Sequence, residues 1–180
     1  HWPNRAQGQD LNLNRISSIT DRYGILWVGT FNGLVKVGRQ KNEFVIIRQD
    51  TESPAGLADN TILSLYEDRS GSLWIGTMVG GVSRLDKRTK QFVWYRSDVD
   101  NGIAGNDVRT IFEDAHGYAW VGTFEGLFVG GDQGFEHLEL PDQDRDDPPF
   151  VRKITEARDG SLYLATGRDG VVRYDRGRTT

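Results

Sequence analysis

The sequence predicts an all-β fold built from four-stranded antiparallel blades of the β-propeller type, about four of them. Three observations predict it. A string built on Leu-Trp-Val-Gly-Thr recurs at 26–34, 73–82 and 119–128, and in worn form at 162–172. Its aromatic residues, Trp27, Trp74, Trp120 and Tyr163, stand 47, 46 and 43 residues apart, the period of a propeller blade. Glycine fills 22 of 180 positions, nearly twice the average of roughly 7%, which implies many tight turns. Short runs of β-branched and aromatic residues carry no long helical periodicity.

Each unit reads as four short strands, a to d. Strand a carries an apolar pair three residues apart: Ile16/Ile19, Ile62/Leu65, Val108/Ile111 and Val151/Ile154. A turn follows: Asp21-Arg22-Tyr23-Gly24, Asp68-Arg69-Ser70-Gly71, Asp114-Ala115-His116-Gly117 and the divergent Ala157-Arg158-Asp159-Gly160. There Gly supplies a positive φ and Asp bonds the backbone. The aromatic string is strand b, and Trp27, Trp74 and Trp120 are expected to pack between neighbouring sheets, with Tyr163 in the same place. The Gly after each Trp-x pair lets the next sheet approach. Alternating stretches from Leu34, Val82, Leu127 and Val171 form strand c. Stretches at 44–48, 92–96 and 135–140 form strand d, which the fourth unit lacks. In the first unit the strands are expected near 16–20, 25–30, 34–38 and 43–48.

The whole of 1–180 is thus read as one propeller segment. Residues 1–15 are the tail of a preceding blade and a linker, and 16–50, 51–97, 98–140 and 141–180 are blades one to four, the last incomplete. His1–Asn4 is a candidate remnant of strand d, able to complete the fourth blade as a borrowed strand. The start at His1 suggests a cut from a longer chain, part of a larger propeller or of one completed by oligomerisation.

Composition excludes several classes. Lys and Arg total 22 against 26 Asp and Glu, a net charge of −4, whereas nucleic-acid binders carry a basic excess. The absence of Cys excludes disulfides and Cys-based zinc sites. Apolar runs fall far short of the roughly 20 residues of a membrane helix, and no basic-then-apolar signal peptide opens the chain.

The unit I-x-x-I…D-x-x-G-x-L-W-[VI]-G-T…G-[LV], preceded by G-L-x-x-N at 56–60, resembles the two-component-regulator propeller repeat. The resemblance runs from Leu11 to Asp175, and the fourth copy departs with Tyr163 for Trp and Ala165 for Gly. It implies the extracytoplasmic, periplasmic sensor region of a membrane-anchored bacterial receptor, whose histidine kinase or diguanylate cyclase output lies outside this chain. Family sensors usually carry more blades than four.

Propeller ligands bind on loops of one face, here the b–c and d–a connections. The b–c loops give Phe31, Asn32, Met78, Val79, Phe124, Glu125, Arg168 and Asp169 as candidate contacts. Their mix of aromatic and polar tips suits an oligosaccharide or a peptide. For any single one of them, a plain loop tip is the more economical reading. Asn14, Asn60 and Asn106 recur before strand a and are read as turn caps. The segment 142–147 has the first ligand spacings of a calcium loop, but Asp147 stands where an EF-hand needs Gly and Lys153 where it needs Glu, so it reads as a solvated loop. His1, His116 and His137 form no catalytic spacing, and Asp21, Asp68 and Asp114 are read as turn residues. The reading is a binding module with no cofactor, no metal and no enzyme activity of its own. It is expected to form a homo-oligomer. The alternatives are a propeller lyase or hydrolase, or a purely structural interaction domain.

Overall fold

A computed structural model describes residues 17–38, 44–50, 56–97, 102–103, 107–140, 150–168 and 170–175. His1–Asn4, Asn14, Ile16, Asn106, the 142–147 segment and Asp169 lie outside the described residues. Fifteen strands and no helix are described.

They form four antiparallel sheets in chain order. The first runs β1 (Ser17–Thr20), β2 (Leu26–Thr30), β3 (Gly33–Val37), β4 (Phe44–Ile47). The second runs β5 (Ile62–Glu67), β6 (Leu73–Thr77), β7 (Val82–Asp86), β8 (Gln91–Tyr95). The third is β9 (Thr110–Glu113), β10 (Ala119–Thr123), β11 (Gly126–Gly131), β12 (Gly134–Leu138). The fourth holds three strands, β13 (Val151–Glu156), β14 (Leu162–Thr166) and β15 (Val171–Tyr174). The first three are meanders of a, b, c and d in spatial order, and the fourth is a meander of a, b and c. The a–b and c–d turns therefore share one end of the sheet, and the b–c loops and d–a connections the other.

The three-residue spacing in strand a has a backbone cause. Side chains two apart share a face of a regular strand, and one extra residue makes that three. The register slips by one residue between Ile62 and Ser64 and between Val151 and Lys153. Ile62 and Leu65 thus both face one apolar layer, as do Val151 and Ile154. At the following turn Gly24, Gly71, Gly117 and Gly160 all have φ between 74° and 90°, which L side chains rarely adopt.

Three buried layers join consecutive sheets. Trp27, Leu34, Ile62 and Ile75 lie between the first and second. Trp74, Val108, Val121 and Phe128 lie between the second and third. Trp120, Leu127, Val151 and Leu164 lie between the third and fourth. The three tryptophans are each 3% exposed. Close approach depends on glycine in strand b. A Cβ on Gly29 would sit 2.5 Å from Ile62 Cγ2, one on Gly76 2.6 Å from Val108 Cγ1, and one on Gly122 2.7 Å from Val151 Cγ1.

Tyr163 differs from the tryptophans it replaces. It is 37% exposed, because no described sheet covers that side of the fourth one. Leu26, Phe44 and Val45 of the first sheet and Val171 of the fourth are exposed as well.

Candidate functional site

On the b–c face a recurring threonine closes each loop. Thr30 and Thr77 donate through Oγ1 to the carbonyls of Gly33 and Gly81 at 2.8 Å, and Thr123 and Thr166 to Gly126 and Gly170 at 3.3 Å. The next unit then pins the first loop: the Gly33 amide donates to the Asn60 carbonyl at 2.8 Å. The Asn60 side chain accepts the Gln49 amide at 2.8 Å, so it ties the d–a connection together across its two ends.

Of the candidate contacts, Phe31 and Asn32 are half-buried in the first hairpin, and Met78, Phe124, Glu125 and Arg168 are exposed. The fold brings Phe124 against Phe150, with ring centroids 5.1 Å apart. Arg109 and Arg152 stand over the Phe150 ring at 5.5 and 4.8 Å. Phe31 and Met78 are not joined to this cluster. The b–c face therefore offers a cation–aromatic patch at the junction of the third and fourth sheets, besides the single pair of Arg96 over Trp94 at 5.7 Å beside the second d–a connection.

The opposite face is more elaborate. Each turn aspartate is buried and bonded on both oxygens. Asp21 Oδ1 accepts the Tyr23 and Ile25 amides at 2.9 and 3.0 Å, and its Oδ2 accepts the Trp27 indole N–H at 3.0 Å. Asp68 repeats this with the Ser72 amide and Trp74, at 2.8 Å each. Asp114 repeats it with the His116 and Tyr118 amides and Trp120. The fourth unit lacks both partners at once, with Ala157 and Tyr163 in their places. Burial pushes the Asp21 carboxyl up, but the Trp27 indole, the Ile25 amide and the Lys87 ammonium outweigh it and hold it at about 2.

These turns also clasp one another. The Arg22 amide and Nε donate to Glu67 at 2.9 and 3.1 Å, and its Nη atoms donate to the Asp68 and Arg69 carbonyls. Arg69 does the same one unit on: its amide donates to Glu113 Oε2 at 2.7 Å and its guanidinium to the Asp114 and Ala115 carbonyls. The Ala115 amide then donates to Glu156 Oε2 at 3.0 Å.

Between the second and third sheets this face opens into a recess of about 530 Å³. Tyr66, Trp74, Phe112 and Tyr118 give it aromatic walls, and Asp68, Glu113, Asp132 and Arg84 charge it. Burial raises the Tyr66 hydroxyl above its ordinary range. Arg84 lies over the Trp74 ring at 5.1 Å and pairs with Asp132. Trp74 stacks on Tyr95 at 5.6 Å, which steadies that wall. Sequence reasoning passed over Tyr66, Arg84, Glu113 and Tyr118, because the recess belongs to two units and to neither alone. The available signal was the strand-c cation set opposite the tryptophan, Lys36 facing Trp27 and Arg84 facing Trp74.

The family of the two component regulator propeller matches residues 56–78 and 102–125, the start of the second and third units. Those two segments are similar to the two component regulator propeller family. Among solved structures, this chain is similar in fold to two extracellular domains assigned to hybrid two component systems of B. thetaiotaomicron. The first is 21% identical with a TM-score of 0.79, over 98% of this chain and 24% of that one. The second is 23% identical with a TM-score of 0.71, over 90% and 24%. Virginiamycin B lyase from Staphylococcus aureus is similar at 16% identity and a TM-score of 0.60, over 90% and 55%. At such identities the likeness is one of fold. The chain spans about a quarter of the length of the two extracellular domains. No curated protein matches the chain.

Proposed function

We propose that this chain is part of the extracytoplasmic ligand-sensing propeller of a bacterial signal-transduction receptor, where it acts as a binding and interaction module. The family match on the second and third units carries the reading. The fold shared with extracellular domains of hybrid two component systems supports it. Kinase or cyclase output belongs to other domains of the receptor. The b–c face, with Phe124 beside Phe150 and two arginines, suits a sugar ring or a peptide, because aromatic faces and guanidinium donors serve both. Signalling follows only if the ligand favours one arrangement of the receptor over another.

The enzyme reading has one observation in its favour, the fold shared with a lyase. Against it stands the use of the repeated carboxylates. Asp21, Asp68 and Asp114 are committed to turn amides and indole N–H groups, which leaves them unsuited to proton transfer.

A thermal-shift screen with oligosaccharides and peptides tests the proposal. A saturable rise in the unfolding midpoint is expected, with the ligand recovered intact and the rise reduced by Phe124→Ala. Recovery of a cleaved ligand would instead establish an enzyme.

A further inference from the structure

The repeat supplies its own precedent for a bound cation. Between the first and second sheets, Lys87 reaches across from the turn after β7. Its Nζ lies 3.0 Å from Asp21 Oδ2 and 2.6 Å from Glu67 Oε1. The Tyr23 ring stands 5.5 Å from that nitrogen, and the lysine side chain is only 12% exposed. Asp21 is the turn aspartate of the earlier sheet, and Glu67 ends strand a of the later one. This is an ammonium held by two carboxylates from adjacent units.

The next junction rebuilds the same two carboxylates without the lysine. The repeat positions of Asp21 and Glu67 are occupied there by Asp68 and Glu113. Glu113 is held in the same pose, because Arg69 donates its amide to Glu113 Oε2 at 2.7 Å as Arg22 does to Glu67 Oε2 at 2.9 Å. The position of Lys87 is taken by Asp132. Strand b faces strand c at Trp74–Arg84 and at Trp120–Val129, and Lys87 and Asp132 each follow three residues later. Asp132 turns instead to Arg84. What remains is the recess of about 530 Å³.

Its charges favour a cation. Asp68, Glu113 and Asp132 line it against the single guanidinium of Arg84. Arg84 partly answers Asp68, with Nε 3.7 Å from Oδ2. Among the described residues no ion pair involves Glu113. Tyr66 and Tyr118 add aromatic surface, which attracts an ammonium and accommodates the alkyl chain that bears it.

We propose that the recess between the second and third sheets is a binding site for a primary ammonium on an alkyl chain of about lysine length. The ammonium sits between Asp68 and Glu113 as Lys87 sits between Asp21 and Glu67, and the chain lies along Tyr66 and Tyr118. Both a free alkylamine and a lysine side chain of a protein partner carry this chemistry. The site lies on the face opposite the b–c loops and is independent of what those loops bind.

The test is a titration of the whole 180-residue chain with n-pentylammonium chloride, Nα-acetyl-lysine methylamide and 1-pentanol, read by NMR at the tryptophan indole N–H signals. Both ammonium compounds are expected to shift the Trp74 signal saturably, and the alcohol is not. Glu113→Gln keeps an acceptor for the Arg69 amide and is expected to weaken binding by about tenfold or more, as loss of a charged partner does. Asp132→Lys restores the lysine of the previous junction and is expected to abolish binding by filling the recess. Tighter binding of the lysine derivative assigns the site to a protein partner, and equal binding assigns it to free amines. Absence of a saturable shift, an equal response to 1-pentanol, or unchanged affinity in Glu113→Gln overturns the proposal.

Discussion

Asp68 and Trp74 show how much one residue pair does in this chain. The carboxylate closes a turn with one oxygen and fixes the indole with the other, and the indole then fills the layer beneath the third sheet. Trp74→Ala is expected to cost about 3–5 kcal/mol, the usual cost of truncating a buried Trp. An unchanged denaturation midpoint would show the unit alignment to be wrong. Asp21 adds a pH dependence. Its folded pKa of about 2 lies below the roughly 3.9 of an unfolded Asp. The unfolded chain therefore binds the proton more readily, and the stability from Asp21 is whole above about pH 4 and lost as the pH falls toward 2. Lys87→Met removes one of the groups holding that value down. Acid denaturation curves are expected to show a weaker loss of stability over this window in Lys87→Met than in the parent chain.

At the level of the element, strand b must leave room for the strand a that follows it. Gly76→Ala would place a methyl 2.6 Å from Val108 Cγ1, and overpacking of this kind is expected to cost about 1–3 kcal/mol. Ala165 holds the same position in the fourth sheet, where no described sheet approaches. Ala165→Gly is expected to change stability by no more than about 1 kcal/mol, the backbone effect of glycine in a strand. Urea denaturation of the two variants compares them directly. The a–b turn carries a second such contrast. Where Arg22 Nε serves Glu67 Oε1, Ala115 has no guanidinium, and Glu156 Oε1 is buried without a hydrogen-bond partner. Ala115→Arg is expected to stabilise the chain by about 0.5–2 kcal/mol in the same assay.

At the scale of the molecule, the three apolar layers join consecutive sheets, so among the described residues the first and fourth each keep one uncovered side. Exposed Leu26 and Phe44 mark one side and Tyr163 and Val171 the other. A pair of copies, the fourth sheet of each against the first of its partner, would cover both, and it is the assembly we propose. The clasp would be incomplete across that joint. Arg158 holds the place of Arg22 and Arg69 in the turn sequence, but Thr20 stands opposite Leu26 where Glu67 stands opposite Leu73. Light scattering at micromolar concentration is expected to give about 40 kDa, twice the 20.3 kDa chain. Thr20→Glu is expected to tighten the pair by supplying the missing acceptor. A persistent single-chain mass in both would rule the pairing out.

The sequence by itself determined the strands, their order and the packing role of the tryptophans. Those features repeat, and each is local: a glycine turn, an alternating run, an aromatic at a fixed offset. Even the bulge in strand a was written in the three-residue spacing of Ile62 and Leu65. The candidate loop residues were legible as loop tips, but nothing in one unit says that Phe124 meets Phe150 while Phe31 and Met78 stand apart. Only the tertiary structure decided what happens between units. The indole bond of each turn aspartate, the arginine clasp from turn to turn, and the exchange of Lys87 for Asp132 at the next junction all depend on groups more than forty residues apart or on side-chain direction within a turn. Periodicity reports which face a residue takes, whereas a recess between two sheets is set by how those faces are juxtaposed, and that is fixed only when the sheets pack.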